Sequence, residues 1–314
     1  MTLILTVATP IVVVQVGDRL VSKSVGGKLS PLDEIATKQV LYRAKDAVVS
    51  IGYSGQAVLG GVPTDEVIAA FLSGDPDLGR RNLNERRGIF RGRPTNRWPM
   101  NHATGHLLKK LGSLLSVGQR LQLCIAGFKL EAGAVRPLIK EFSIHPNGTH
   151  KAAHPPRHWS GNSGAWVSAI GFNHEHVVGA IVEELKHQRP APDELAAFLT
   201  EQIRKCGGPG IGPHTSAITI HRDGPATSEF FPLAARQDVF FVGYARQEIE
   251  MNATYHPWII GWSAMMPPTK GAGGDITFDD EGLGVLLKGS GPVPKGILSV
   301  LGSVPRLNPG EERL

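Results

Sequence analysis

Thr2-Leu3-Ile4-Leu5-Thr6-Val7-Ala8-Thr9-Pro10-Ile11-Val12-Val13-Val14-Gln15-Val16-Gly17-Asp18-Arg19 is the stretch on which the fold turns. It holds two apolar, β-branched runs separated by Thr9-Pro10, where proline fixes its own φ and supplies no N–H donor. The pattern predicts two buried strands joined by a tight turn. Gln15 and Asp18 close the second run well short of the roughly 20 apolar residues that a helix needs to cross a bilayer. No basic segment precedes the first run, so it does not read as a secretion signal. The expectation is a cytoplasmic protein with no membrane partner.

Working outward, residues 20–24, 39–42 and 47–52 continue the strand character, with a polar turn at Gly26-Gly27. Thr64 followed by Asp65 and Glu66 predicts a helix start. Val67, Ile68, Phe71 and Leu72 then form one apolar face. A second helix is expected over 102–115, from the spacing of Leu107, Leu108, Leu111, Leu114 and Leu115. Strands return at 121–126 and 141–145, the latter closed by Pro146-Asn147-Gly148. Two further helices carry Val177, Val178, Ile181, Val182 and Leu185, then Leu195, Phe198, Leu199 and Ile203. Residues 217–221 form one more strand, ending at Asp223-Gly224. Blocks of strands alternating with pairs of helices point to α+β rather than to a βαβ parallel sheet. From 225 the chain turns Gly/Pro-rich with apolar runs at 239–244 and 258–262. The expected organisation is a domain over 1–224, with an Arg-rich insertion near 78–100, and an extension over 225–314 that packs on it and ends in a loose tail.

Composition narrows the classes. With 314 residues, 41% hydrophobic and 19% charged, the chain can bury a substantial core and is neither disordered nor a coiled coil. Two cysteines, Cys124 and Cys206, are too few for a disulfide framework. A net charge of +5 is only a mild basic excess.

Several familiar chemistries fail on spacing. There is no GxxxxGK[ST] loop, and the glycines at 207–212 follow a helix rather than a strand, so the dinucleotide context is absent. Gly161-Asn162-Ser163-Gly164 is similar to a serine-protease nucleophile segment, yet no Asp lies between Asp77 and Asp193 and the first histidine is His102. The His–Asp–Ser order cannot be drawn. Seven histidines between His145 and His187 include His174-Glu175-His176, but no HExxH spacing closes a metal site. Seven arginines between 80 and 97, with Phe90 and Trp98, read as a solvated insertion; non-specific phosphate contact is the lesser alternative.

The sharpest chemical signal is Thr2 itself. Removal of Met1, which a small penultimate residue permits, leaves a threonine with its hydroxyl and a free α-amine of pKa about 8. The amine can act as base for its own hydroxyl. A nearby cation keeps that amine neutral, and a carboxylate holds the cation. Asp18-Arg19, at the end of the second strand, and Lys38, at the start of a later one, are candidates for those roles.

In these residues the chain resembles the proteasome-type N-terminal-nucleophile hydrolases, the proteasome β-subunits and their bacterial relatives. Thr2 matches the nucleophile, Asp18 in Gly17-Asp18-Arg19 the aspartate, and Lys38 in Ala36-Thr37-Lys38-Gln39-Val40 the lysine. Ser54-Gly55-Gln56-Ala57 is similar to the segment whose glycine N–H builds the oxyanion hole, which implicates Gly55. Ser163-Gly164, followed by Ala169-Ile170-Gly171, resembles the Ser-Gly segment near the nucleophile. Pro213-His214-Thr215-Ser216 departs from the pattern: Pro213 stands where the family has an aspartate, leaving His214 or Ser216 as partial substitutes. The resemblance spans about residues 2–224. It implies a four-layer αββα sandwich of two antiparallel sheets flanked by helices, and a threonine-type peptidase or amidohydrolase. It further implies chemistry that requires no metal or organic cofactor, and self-assembly into a homo-oligomer. A non-catalytic assembly subunit or binding module is the alternative.

Overall fold

The fold was read from a computed structural model of the chain. It describes residues 2–26, 28–33, 36–74, 90–91, 98–146, 150–152, 157–159, 164–172, 174–188, 190–208, 210–224, 226–231 and five short segments between 253 and 278. The opening stretch forms the hairpin β1 (Leu3–Ala8) and β2 (Val12–Asp18). Thr9 closes its turn by donating from Oγ1 to the Val12 carbonyl while accepting the Val12 N–H. Then come β3 (Val21–Val25), β4 (Lys28–Asp33), β5 (Gln39–Arg43), β6 (Ala47–Gly55) and the short pair β7 (Val58–Leu59) and β8 (Val62–Pro63). Helix α1 (Thr64–Ser73), strand β9 (Phe90–Arg91) and helix α2 (Met100–Leu114) lead to the long hairpin β10 (Leu121–Glu131) and β11 (Ala134–Ile144). Next are β12 (His150–Ala152), β13 (Arg157–Trp159), β14 (Ala165–Gly171), α3 (His174–Gln188), α4 (Leu195–Cys206), β15 (Thr215–His221) and β16 (Ala226–Phe231). The described part ends with β17 (Ala253–Tyr255), β18 (Trp258–Ile260), β19 (Ala264–Met266), β20 (Lys270–Ala272) and β21 (Ile276–Phe278).

The class is α+β: two main sheets and four helices among the described residues. One sheet has the order β13-β14-β1-β2-β15-β16-β21, antiparallel throughout; the other runs β12-β11-β10-β6-β5-β18-β19-β9. All neighbours in the second are antiparallel except β18, which pairs parallel to β5 with Trp258 opposite Val40.

Alternation along each strand sorts the side chains. On β1, Leu3, Leu5 and Val7 join Val14, Val16 and Val167 in a cluster with Ile181, Leu185, Leu199 and Ile203 of α3 and α4. Ile4 and Ala8, one residue out of phase, join Ile170 and Ile218 in a different cluster, with Leu41, Cys124, Ala126 and Phe128 of the second sheet. The other face of the second sheet carries Val40, Ile51, Leu123 and Ile125 against Ile68, Leu72, Leu107 and Leu111 of α1 and α2. Each fully buried Leu, Ile or Val in these clusters contributes about 1.5–3 kcal/mol. The arrangement is compatible with a sandwich.

Three local expectations change. Thr64 is the first residue of α1 rather than its cap; Pro63 occupies the cap position. The Thr64 hydroxyl is drawn instead to the Gln56 carbonyl, at 2.7 Å. The strand β11 begins at Ala134, seven residues before the expected start, because hairpin pairing with β10 carries an exposed to half-buried stretch, residues 134–140, that alternation alone does not mark. Residues 165–171, not expected as a strand, form β14 beside β1. Ser163, the turn residues Asn147 and Gly148, the run at 239–244 and most of the Arg-rich stretch lie outside the described residues. Among the described residues, no helix is long and apolar enough to cross a membrane.

Candidate active site

Thr2 precedes β1, and the ends of β2, β5, β6, β14 and β15 lie at the same end of the sheets. Asp18 is at the C-terminal end of β2 and is fully buried. Its carboxylate accepts four hydrogen bonds. Oδ1 takes the Leu3 N–H at 2.7 Å, the residue after Thr2. Oδ2 takes the Leu20 N–H at 3.1 Å, the Gly212 N–H at 3.3 Å and Lys38 Nζ at 2.9 Å. Lys38 is itself buried and donates a second bond to the Leu20 carbonyl at 2.6 Å. A buried carboxylate is tolerable only when its lone pairs are filled in this way, and a buried ammonium only when it is paired. Asp18 belongs to the first sheet and Lys38 leads into β5 of the second, so this ion pair bridges the two sheets.

Thr2 is itself held. Its carbonyl accepts the Phe172 N–H at 2.9 Å and the Ser54 hydroxyl at 3.3 Å. Gly171 lies directly against it. A Cβ there would sit 1.8 Å from the Thr2 carbonyl oxygen, and φ is +106°, so only glycine allows β14 to approach this closely. Gly55 ends β6 with φ +112°, and a Cβ on it would meet the Arg120 carbonyl at 2.5 Å. Beyond it, Thr64 grips the turn twice, through its N–H to the Ala57 carbonyl and its hydroxyl to that of Gln56.

The remaining expected residues fall differently. Gly164 precedes β14 at the end away from Thr2, because β14 runs antiparallel to β1 and pairs Gly171 with Leu3 but Trp166 with Ala8. The structure therefore does not bring Gly164 to Thr2; Gly171 and Phe172 occupy that place. Ser163, next to Gly164, lies outside the described residues. Ser216, opposite Gly17, points its hydroxyl into the layer between the sheets and donates to Gln39 Oε1 at 2.9 Å. Pro213 is exposed, while its neighbour Gly212 supplies an N–H to Asp18 and His214 accepts the Arg19 N–H at 3.0 Å. The Arg19 guanidinium, also buried, lies 5.0 Å from the Phe230 ring centre.

Ser54, Gly171, Phe172 and Gln39 are the positions that sequence reasoning left without a role. The signals were present: Ser54 and Gly171 stand inside quoted motifs, and Gln39 is a buried amide next to Lys38. Just outside this end of the sheets, the Asp65 carboxyl in the first turn of α1 is raised to about 7, by burial first and by Glu66 second. Trp258 of β18 interacts with it and opposes that shift. No cluster of three metal-ligating side chains occurs among the described residues.

A cavity of about 240 Å³ opens at the other end of the sheets, lined by Leu41, Arg43, Phe128, Ile220, Arg222 and Ala226 among others. It is far from Thr2: Arg43 and Lys38 bracket the length of β5.

No protein-family model matches the chain, and no similar protein was found among curated proteins. Among solved structures it is similar to Thiobacillus denitrificans BPH in complex with epoxomicin, with 12% identity and a TM-score of 0.40, over 70% of this chain and 98% of that one.

Proposed function

We propose that the chain is a threonine-type amide or peptide hydrolase of the proteasome-like N-terminal-nucleophile kind, with a four-layer αββα sandwich. The observation that carries this reading is the fully buried Asp18–Lys38 pair, bonded at 2.9 Å and tied through the Leu3 N–H to the strand that Thr2 begins. A buried charge pair is costly to form and adds little stability over an apolar substitute. Such a pair tied to the residue that follows Thr2 favours a chemical role.

In the mechanism, removal of Met1 exposes the Thr2 amine. That amine, directly or through a water, takes the Thr2 hydroxyl proton as the oxygen attacks an amide carbonyl. Lys38 holds the amine neutral by its charge, and Asp18 fixes Lys38. The Gly55 N–H stabilises the tetrahedral oxyanion. The leaving amine takes up the proton, and water then hydrolyses the acyl-threonine ester. No step requires a metal or an organic cofactor. The catalytic domain is built on residues 1–224, strands β16, β18, β19 and β21 from beyond 224 continue its two sheets, and the protein is a cytoplasmic, self-assembling homo-oligomer.

Thr2→Ala should abolish labelling by a threonine-directed β-lactone with the melting temperature unchanged; undiminished labelling of that variant would sink the mechanism. A second reading, a non-catalytic assembly subunit or binding module, is favoured by Pro213 standing where the family has an aspartate. That reading expects Met1 to be retained in the purified protein or Thr2 to be buried, and Thr2 is 7% exposed in the structure.

A further inference from the structure

The layer between the sheets mixes polar and apolar side chains. Midway, Gln15 and Ser50 stand level with Ile218, Leu41 and Ala126, their partners on neighbouring strands. Toward Thr2, Gln39 and Ser216 lie with Ile4 and Ile170, and the four amides and hydroxyls, Gln15, Gln39, Ser50 and Ser216, are fully or almost fully buried. Two glutamines cross between the sheets in opposite directions. Gln15, on β2, reaches into the second sheet, accepting from Ser50 Oγ at 2.7 Å and donating to the Cys124 carbonyl at 3.2 Å. Gln39, on β5, reaches into the first, donating to the Gln15 carbonyl at 2.9 Å and accepting from Ser216 Oγ at 2.9 Å. The backbone makes room for this clasp. A Cβ on Gly52 would lie 2.7 Å from Gln15 Oε1, so β6 is glycine where the amide passes.

The clasp sits beside the ion pair. Gln39 follows Lys38 directly, and its two partners lie on β2 and β15, whose residues Asp18 and Thr215 are paired. Lys38 and Asp18 come from different sheets, so their 2.9 Å separation depends on how the sheets are set against each other. Hydrogen bonds are directional, and satisfied buried networks rigidify what they join, so these bonds fix that setting. We propose that Gln39 is a positioning residue which, by pinning β5 to β2 and β15, holds the Lys38 ammonium on the Asp18 carboxylate. This rests on the reading of Lys38 as the cation of the site.

The test follows Lys38 itself, by NMR of protein labelled with ε-¹³C-lysine, the Lys38 signal being assigned by its loss in Lys38→Arg. Three variants are compared with the parent. Gln39→Met keeps the volume and removes both bonds. Ser216→Ala removes one. Ser168→Ala, whose hydroxyl bonds Glu141 elsewhere in the same layer, is the control for general loosening. The Lys38 titration midpoint should fall by roughly one unit in Gln39→Met as the carboxylate's hold weakens, since a close opposite charge is worth about 1–3 units. It should fall less in Ser216→Ala and stay put in Ser168→Ala. An unchanged midpoint in Gln39→Met, or an equal shift in Ser168→Ala, overturns the proposal. If Gln39→Met does not fold, the Ser216→Ala shift against Ser168→Ala decides. β-Lactone labelling of Thr2 is read in parallel and should slow severalfold in Gln39→Met. Absence of labelling in the parent would refute the threonine mechanism but leave the Lys38 titration to decide the role of Gln39.

Discussion

The two ends of the layer between the sheets differ in what they hold. At the Thr2 end, Asp18, Lys38, Gln39 and Ser216 are fully or almost fully buried beside Ile4 and Ile170, with donors matched to acceptors. At the other end the strands enclose an apolar floor and a 240 Å³ cavity rimmed by Arg43, Arg222 and Asp223. Stability alone would fill both ends with hydrocarbon, because buried polar clusters gain little over well-packed apolar ones. The contrast teaches that the Thr2 end is specified for geometry, and it should respond to substitution very differently from the far end.

The largest effect is expected from Lys38→Met. It leaves the Asp18 carboxylate buried without its cation, which should cost about 3–5 kcal/mol in urea unfolding and remove Thr2 reactivity together. A stable, reactive variant would break the contrast at its centre. Gly171→Ala comes next. Its Cβ would overlap the Thr2 carbonyl at a backbone angle that alanine resists, for a loss of about 2–4 kcal/mol. Its crystal structure should show Thr2 displaced from Phe172 N–H and Ser54.

Asp65 tests the same end from the helix side. Its folded pKa of about 7 lies above the ordinary value of 3.8, so the folded state binds the extra proton between these values. That contribution to stability is fully present below about pH 4 and is lost as pH rises through 7. Asp65→Asn should therefore flatten the pH dependence of the melting temperature over this window and melt several degrees above the parent at pH 8, where each kcal/mol is worth about 2–4 °C. The smallest effect belongs to the far end. Ala226→Val extends into the cavity and should gain no more than about 1 kcal/mol, with Thr2 reactivity unchanged. A loss of reactivity there would show that the two ends are coupled.

What the sequence made legible follows the same division. The apolar runs of β1 and β2, the leucine spacing of α2 and the order of strand and helix blocks could be read, because each is a local period imposed by burial. Asp18 and Lys38 could be chosen because an amino-terminal threonine nucleophile calls for a cation and a carboxylate, and these two stand at strand ends in positions that match the family pattern. Three features resisted. Ala165-Trp166-Val167-Ser168-Ala169-Ile170-Gly171 has small residues on both faces, so β14 lacked a clear alternation, and Gly164 was placed near Thr2 when the antiparallel pairing puts Gly171 there. Trp258–Ile260 joins β5 across more than two hundred residues of chain, a pairing that no local pattern encodes. Gln15 reads as the polar end of an apolar run, and only the facing sheet shows that its amide is satisfied by Ser50 and the Cys124 carbonyl.

The most direct test is the intact mass of the purified protein before and after a threonine-directed β-lactone, with the adduct mapped by peptide sequencing. Loss of Met1 and one adduct on Thr2, absent in Thr2→Ala, is the expected result. A protein that keeps Met1 and takes no adduct would contradict the nucleophile assignment and leave the buried Asp18–Lys38 pair as part of a scaffold.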